Sequence, residues 1–266
     1  MMGLENNLPV QHVIGFPITA LSFDQQIEVI LKWAKTGVSK IVCIANVHML
    51  IEAHRDSHFA SLLKASDLTT PDGMPLVWML RLLGISRQDR VAGPDVLIAL
   101  CRVAPEVGVS LFFLGSQSAV LEQMRTRLER EFPALKIAGM EPLPFRPMTA
   151  QEDEEIVRKL NTSGAGIVLV SLGCPKQERW MAEHRDKVDM VMIGVGGAFP
   201  MFAGIHRRAP QLVRQLGLEW LYRLIQEPKR LWKRYANTIP IFIWLAVKQL
   251  LASESVMVTS KKSPAQ

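Results

Sequence analysis

GIVLVSLGCPKQERWMAEHRDKVDMVMIGVGG, residues 166–197, contains two short apolar runs, GIVLVSLG (166–173) and VDMVMIGVGG (188–197), separated by a polar stretch. Both runs are rich in Val, Ile, Leu or Met and both close on glycine, which is the pattern of a strand buried on its two faces. Between them Gly173 permits a sharp turn and Pro175 suits the first turn of a helix. Strand, helix and strand in this order give a parallel sheet with helices over its faces.

The same alternation extends upstream. IVCIAN (41–46), VSLFFLG (109–115) and LKIAGM (135–140) read as further buried strands. AVLEQMRTRLEREF (119–132) and TAQEDEEIVRKLN (149–161) have helical spacing, the second with Thr149 as N-cap and acids in its first turn. HVIGFPITALSFDQQIEVILKWAKTG (12–37) predicts one strand, then a helix capped near Ser22 and stopped by Gly37. The fold class is therefore α/β: a parallel-sheet α/β/α, Rossmann-like core over 1–204. After that the pattern is all helical, an appendage over 205–252 in which Pro210 and Pro228 suit first turns, with a frayed tail over 253–266.

At 266 residues and 48% hydrophobic, the chain can bury a core of this size. Its three cysteines, Cys43, Cys101 and Cys174, form no C-x-x-C, which argues against a disulfide framework and for a reducing compartment. The N-terminus has no basic segment followed by an apolar one, so no secretory signal is expected. No run of about 20 apolar residues occurs, and IPIFIWLAVKQLL (239–251) is too short to span a bilayer.

Charge is concentrated in one place. The chain has 31 Lys+Arg against 25 Asp+Glu, and residues 205–235 account for the whole surplus through Arg207, Arg208, Arg214, Arg223, Lys229, Arg230, Lys233 and Arg234 against Glu219 and Glu227. Such a segment implies an anionic partner: nucleic acid, membrane surface or phosphate.

Ligands of parallel α/β sheets collect beyond the carboxyl ends of the strands, which points to Asn46, Gly115–Ser116, Gly173–Gln177 and Gly194–Gly197. GVGG, with Gly196 and Gly197, lacks the dinucleotide fingerprint and serves more readily as a tight strand exit. In SLGCPKQE (171–178) a helix start with Lys176 beside it can seat phosphate, or can be an ordinary connection. TTPDG (69–73) reads as a turn whose Asp72 either only shapes the turn or serves as a general base at a cleft. Arg90, in RVAGPD (90–95), can hold phosphate or simply face solvent. His48, His54 and His58 read as an exposed helix face rather than metal ligands, and no D-x-D is present to hold a divalent ion under a nucleotide-sugar.

Taken as an ordered set, A-N-x-x-M (45–49), PDG (71–73), RVAGPD (90–95), LGCPKQE (172–178), GVGGAFPMFAG (194–204), RRAP (207–210) and GLEWLYRLIQEPKRLWKRY (217–235) resemble the WecG/TagA/CpsF glycosyltransferases, glycosyltransferase family 26. The resemblance implies an inverting hexosyl transfer from a UDP-sugar to a sugar on a polyprenyl diphosphate, in bacterial surface polysaccharide synthesis, with neither metal nor cofactor. It implies Asp72 as the base on the acceptor hydroxyl. Asn46, Arg90 and Gln177, with Gly173, Lys176, Gly196 and Gly197, would hold the donor. Arg207, Arg214, Arg223, Arg230, Lys233 and Arg234 would meet the acceptor diphosphate and an anionic membrane surface, with Trp220, Trp232 and Trp244 at the headgroup boundary. The expected location is cytoplasmic, peripheral on the inner face of the membrane, and a homo-oligomer is left open. Several relatives carry Thr where this chain has Ile44, which leaves the sugar open between N-acetylmannosamine-type and glucose-type. The rivals are a basic nucleic-acid-binding module and a nicotinamide-dependent α/β enzyme; the family reading expects no nucleic acid.

Overall fold

The computed structural model describes residues 8–144 and 146–260, with 253–260 as helix backbone alone. The chain opens with an antiparallel hairpin, β1 (Val10–Val13) and β2 (Phe16–Thr19), followed by α1 (Phe23–Ala34). The central sheet contains β3 (Lys40–Ala45), β4 (Leu68–Pro71), β5 (Leu111–Gly115), β6 (Ile137–Glu141), β7 (Ile167–Ser171) and β8 (Val191–Gly194). These six strands are all parallel, in the order β4-β3-β8-β7-β5-β6. Around them lie α2 (Val47–Arg55), α3 (Ser57–Lys64), α4 (Met74–Leu82), α5 (Gly93–Val103), α6 (Ser118–Glu131), α7 (Ala150–Thr162), α8 (Lys176–Glu183) and α9 (Ala198–Phe202). The chain ends in α10 (Gln211–Gln215), α11 (Glu219–Gln226) and α12 (Pro228–Ser260).

Successive strand residues enter opposite cores. Cys43, Phe112, Leu114, Val168 and Val170 pack on one face of the sheet, and Val42, Phe113, Ile167, Leu169 and Ile193 on the other. Two-sided burial is why these strands read as unbroken apolar runs rather than alternating ones. Truncating any of the large ones to Ala should cost about 2–5 kcal/mol. The capping signals are realised: Ser22 and Thr149 each form a capping box, with Gln25 and Glu152 respectively.

Two local expectations are corrected. The single strand expected near the start is a hairpin, because Ile14 and Gly15 both take positive φ (46° and 90°) and reverse the chain. TTPDG is not all turn: Leu68–Pro71 is the edge strand β4, and Pro71 is tolerated as its last residue at the sheet margin.

The stretch 239–251 belongs to a much longer helix than its own length suggests. Among the described residues Pro228–Ala252 is long and apolar enough, by length and composition, to cross a membrane, with a mean hydropathy of 1.2. Here it lies along the domain. Leu231, Thr238, Phe242 and Ala246 are buried, Arg55 donates to the Asn237 carbonyl at 2.7 Å, and Gln249 bonds His12 and Ile14 of the hairpin, each at 2.7 Å. The tail expected over 253–266 falls partly on the end of α12 and otherwise lies outside the described residues.

Candidate active site

Asp72 sits directly after β4. Its amide donates to the Ala45 carbonyl at 2.7 Å, which continues the β3–β4 pairing by one residue and holds the carboxylate at the carboxyl edge of the sheet. Gly73 then takes φ +97°, a conformation that favours glycine, and α4 starts. Asp72 is half-buried at one end of a cavity of about 480 Å³ that runs under α11 and α12. Burial, then the Glu219 carboxylate, push its pKa up to about 7, while Arg90 and Arg223 pull the other way. A carboxylate poised near neutrality has the balance of basicity and availability that proton abstraction needs.

Four arginines share the wall with it: Arg90, Arg214, Arg223 and Arg234. Arg90 is committed to carboxylates, Glu219 at 2.6 Å and Asp95 at 3.2 Å. Asp95 also holds Arg208 at 2.6 Å and lies 3.9 Å from Arg214. Arg223 and Arg234 have no carboxylate partner among the described residues, and the Nε of Arg234 is buried without a hydrogen bond. Burial, with Arg223 and Arg230 nearby, lowers the pKa of Arg234. Two under-neutralised guanidinium groups on two different helices, facing one hollow, form a seat for an anion with several oxygens.

Residues 11–256 match the Glycosyl transferase WecG/TagA/CpsF family. The chain is also 31% identical over 213 residues to an N-acetylglucosaminyldiphosphoundecaprenol N-acetyl-beta-D-mannosaminyltransferase of Bacillus spizizenii, covering 80% of each chain. A protein of the same name in Bacillus subtilis shows the same 31% identity and 80% coverage. The chain belongs to the WecG/TagA/CpsF glycosyltransferase family.

Membership makes the protein a transferase on a Rossmann-like core and displaces the nucleic-acid and nicotinamide readings. The glycosyltransferase brings some of the expected residues together and leaves others apart. Asn46 lines the cavity and caps α2, its Oδ1 accepting from the Met49 amide at 3.2 Å. Gln177 is buried away from the wall: its Oε1 accepts from the amides of Gly173 (3.2 Å) and Gly196 (3.0 Å), and its Nε2 donates to Glu178 (2.7 Å). It clamps the loops after β7 and β8 to each other. Ser171 adds a bond to the Gly196 carbonyl at 2.7 Å. Gly197 is not part of the wall, although a Cβ there would lie 3.7 Å from an Arg223 nitrogen. Lys176 is exposed at the start of α8, outside the wall. Arg207, Arg230 and Lys233 are exposed too, with Arg230 bonded to Glu227 at 2.6 Å and Lys233 over the Trp232 ring.

Other wall residues take roles that the sequence did not give them. Glu219 ties α11 to the domain through Arg90 and raises Asp72. Trp220 faces the cavity rather than a headgroup boundary, edge-on to Tyr235 at 5.7 Å, while Trp232 and Trp244 are exposed. His48 is not on an exposed face like His54 and His58. It lines the wall with its Nδ1 buried and unbonded, and burial beside Arg234 lowers its pKa to about 4. The sequence read His48 with His54 and His58 as one exposed helix face, and only its position two residues after Asn46 placed it near the cleft.

Proposed function

We propose that this glycosyltransferase moves an N-acetylmannosaminyl-type sugar from a UDP-sugar onto a sugar carried by a polyprenyl diphosphate, with Asp72 as the base. The observation that carries the reading is the placement of Asp72, with a pKa of about 7, in the same cavity as the unpaired Arg223 and Arg234. The names of the Bacillus relatives support the donor sugar and the acceptor class. In the reaction the Asp72 carboxylate takes the proton of the acceptor hydroxyl, its oxygen bonds to the anomeric carbon, and UDP leaves from the opposite face with inversion. Arg90, oriented by Glu219 and Asp95, faces the leaving diphosphate, and Gln177, which takes the Gly173 and Gly196 amides, keeps the strand-end loops in shape beside the donor; Arg223 and Arg234, with Arg214, hold the diphosphate of the acceptor. These cations perform the neutralisation that a divalent ion supplies elsewhere, so transfer proceeds in a chelator.

The protein works peripherally at the inner face of the membrane. Leu212, Leu216 and Ile225 are 73%, 64% and 72% exposed, and they share the appendage with the solvent-facing Arg207, Arg230 and Lys233. At about 1 kcal/mol per basic residue near anionic lipid, these charges support reversible binding. The test is transfer by the purified protein, in EDTA, from UDP-N-acetylmannosamine, UDP-N-acetylglucosamine and UDP-glucose to an N-acetylglucosaminyl-diphospho-prenyl acceptor. Product from the first donor, inverted at the anomeric carbon, is expected. No product from any of the three, with no heat of UDP binding by calorimetry, would sink the reading.

A further inference from the structure

The cavity has two unlike halves. The end near Asp72 is polar and cationic. The other end runs between α4 and α12, where α12 contributes Ile239, Phe242, Ile243, Ala246, Val247 and Leu250 to the wall. Their spacing of three or four residues puts them on one helical stripe, about 16 Å long from first to last. Facing them, α4 contributes Trp78, Met79 and Leu82. The hydroxyl of Thr238, at the boundary between the halves, is already bonded to the Arg234 carbonyl at 2.8 Å. Beyond it α12 offers a ligand no polar group on this wall.

The floor of this half is buried, with Phe242 at 5% and Ala246 at 7% exposure. Its rims are open: Trp78 is 45%, Leu82 67%, Ile243 55% and Val247 49% exposed. A long apolar trough with open rims, lined from two separate helices, marks a binding surface. A nucleotide-sugar cannot fill it, because its sugar, base and phosphates all need polar partners. The trough is continuous with the arginine-lined end, so its occupant must carry phosphate at one end and hydrocarbon at the other.

We infer that the trough between α4 and α12 seats the isoprene units nearest the diphosphate of the lipid-linked acceptor. The inference rests on the acceptor reading above and deepens it. The lipid enters the protein with its phosphates on Arg223 and Arg234, its first isoprene units along Phe242 and Ala246, and the remainder of the chain leaving over the Leu82 and Val247 rims towards the bilayer. The membrane-borne part of the substrate is thereby read by the protein itself rather than serving only as an anchor.

The test uses two soluble acceptors with one N-acetylglucosaminyl-diphosphate head, bearing a methyl or a farnesyl group, in buffer without vesicles or micelles. Binding to the full chain is measured by calorimetry. The farnesyl acceptor should bind at least about tenfold more tightly, the effect of burying only a few methylenes. That ratio should fall to within about threefold in Ala246→Trp, which fills the trough. It should fall similarly in Leu82→Asp, whose exposed position protects the fold and which sets a carboxylate on the rim. Equal affinity for the two acceptors, or a ratio kept in both variants, would overturn the inference. Competition by dihexanoyl-phosphatidylglycerol as strong as that of the farnesyl acceptor would overturn it also, making the trough a seat for any acyl lipid. If no sugar is transferred but the chain-length ratio and its loss are observed, the trough assignment stands and the transferase substrate reading falls. Transfer at equal rates to both acceptors, with equal affinities, leaves the substrate reading intact and removes the trough.

Discussion

The two sides of the cavity are built by different physics. On the sheet side, Asp72 is held by a backbone bond to Ala45, and the loops after β7 and β8 are locked by Gln177 and Ser171. On the helical side, α10 and α11 bury no residue at all, and the segment that carries them is tied to the α/β part through Arg90–Glu219 and Arg208–Asp95. Groups fixed by backbone pairing keep their position to a fraction of an ångström; groups on side-chain tethers can open and close at modest cost. The proposed base therefore belongs to the rigid half and Arg223, on α11, to the half that can move, while Arg234 sits on the packed α12 between them. Changes on the sheet side should strike turnover, and changes on the helical side should strike acceptor affinity.

The largest effect tests the rigid half. Asp72→Asn should reduce kcat by about a hundredfold or more while retaining the fold. In the wild type kcat/KM should rise with pH towards about 7, falling tenfold per pH unit below it, because the base must be deprotonated. That acid limb should vanish in the variant. The raised pKa means that the fold favours the neutral form, so charging Asp72 costs stability as pH climbs from the usual carboxylate range to about 7. The variant should thus melt higher than wild type at pH 8, by on the order of 1 kcal/mol after allowing for partial exposure, and equally at pH 3. A variant with near-normal turnover would break the division between the halves.

Next in size, Arg223→Ala and Arg234→Ala should each raise KM for a diphosphate acceptor about ten- to a hundredfold, the value of a charge-assisted bond, with kcat changed far less. Neither should lower Tm appreciably, since each removes one of two crowded, unpaired cations. A kcat loss equal to that of the Asp72 variant would contradict the comparison.

Glu219→Gln sharpens the boundary, because this residue belongs to the helical side and raises Asp72 on the other. The acid limb of kcat/KM should move to lower pH, and the loosened α11 should raise acceptor KM severalfold. An unmoved limb would mean that Glu219 does not reach the base. Gly217→Ala is smaller. Gly217 has φ +72°, and a Cβ there would lie 2.6 Å from the Trp78 ring, so the link between α10 and α11 must shift off α4. A loss of about 1–2 kcal/mol in thermal stability is expected, with a few-fold rise in acceptor KM. Smallest, Arg230→Ala and Lys233→Ala should leave soluble-acceptor kinetics within about twofold and weaken binding to anionic vesicles by about fivefold each, near 1 kcal/mol.

How much of this was legible depended on range. β3, β5, β7 and β8 were readable because two-sided burial writes itself as apolar runs, the half-buried edge strand β6 only by its short apolar stretch, and the Ser22 and Thr149 helix starts because their caps are local. β4 was not, since Thr69-Thr70-Pro71-Asp72 looks like a turn until Ala45 pairs beside it. Gln177 stood out as a polar residue at a strand exit, but its contacts with Gly173 and Gly196 cross two loops and left it no freedom to line the wall. Arg230 and Arg234 look alike in the sequence and share one face of α12, a turn apart; Arg234 reaches the cavity, while Arg230, nearer the helix start, bonds Glu227.

The order of residues along the chain is sufficient for the α/β class, the basic helical end, the family and the singling out of Asp72, because each is carried by composition, by spacing or by short motifs read in succession. The pairing of Arg90 with Glu219 across 129 positions, the pKa of about 7 at Asp72 and the apolar trough between α4 and α12 come only from folding. Each depends on a distance between groups far apart in the chain. Electrostatic and apolar contacts act through space, so they exist only once the sheet and the terminal helices have been brought together.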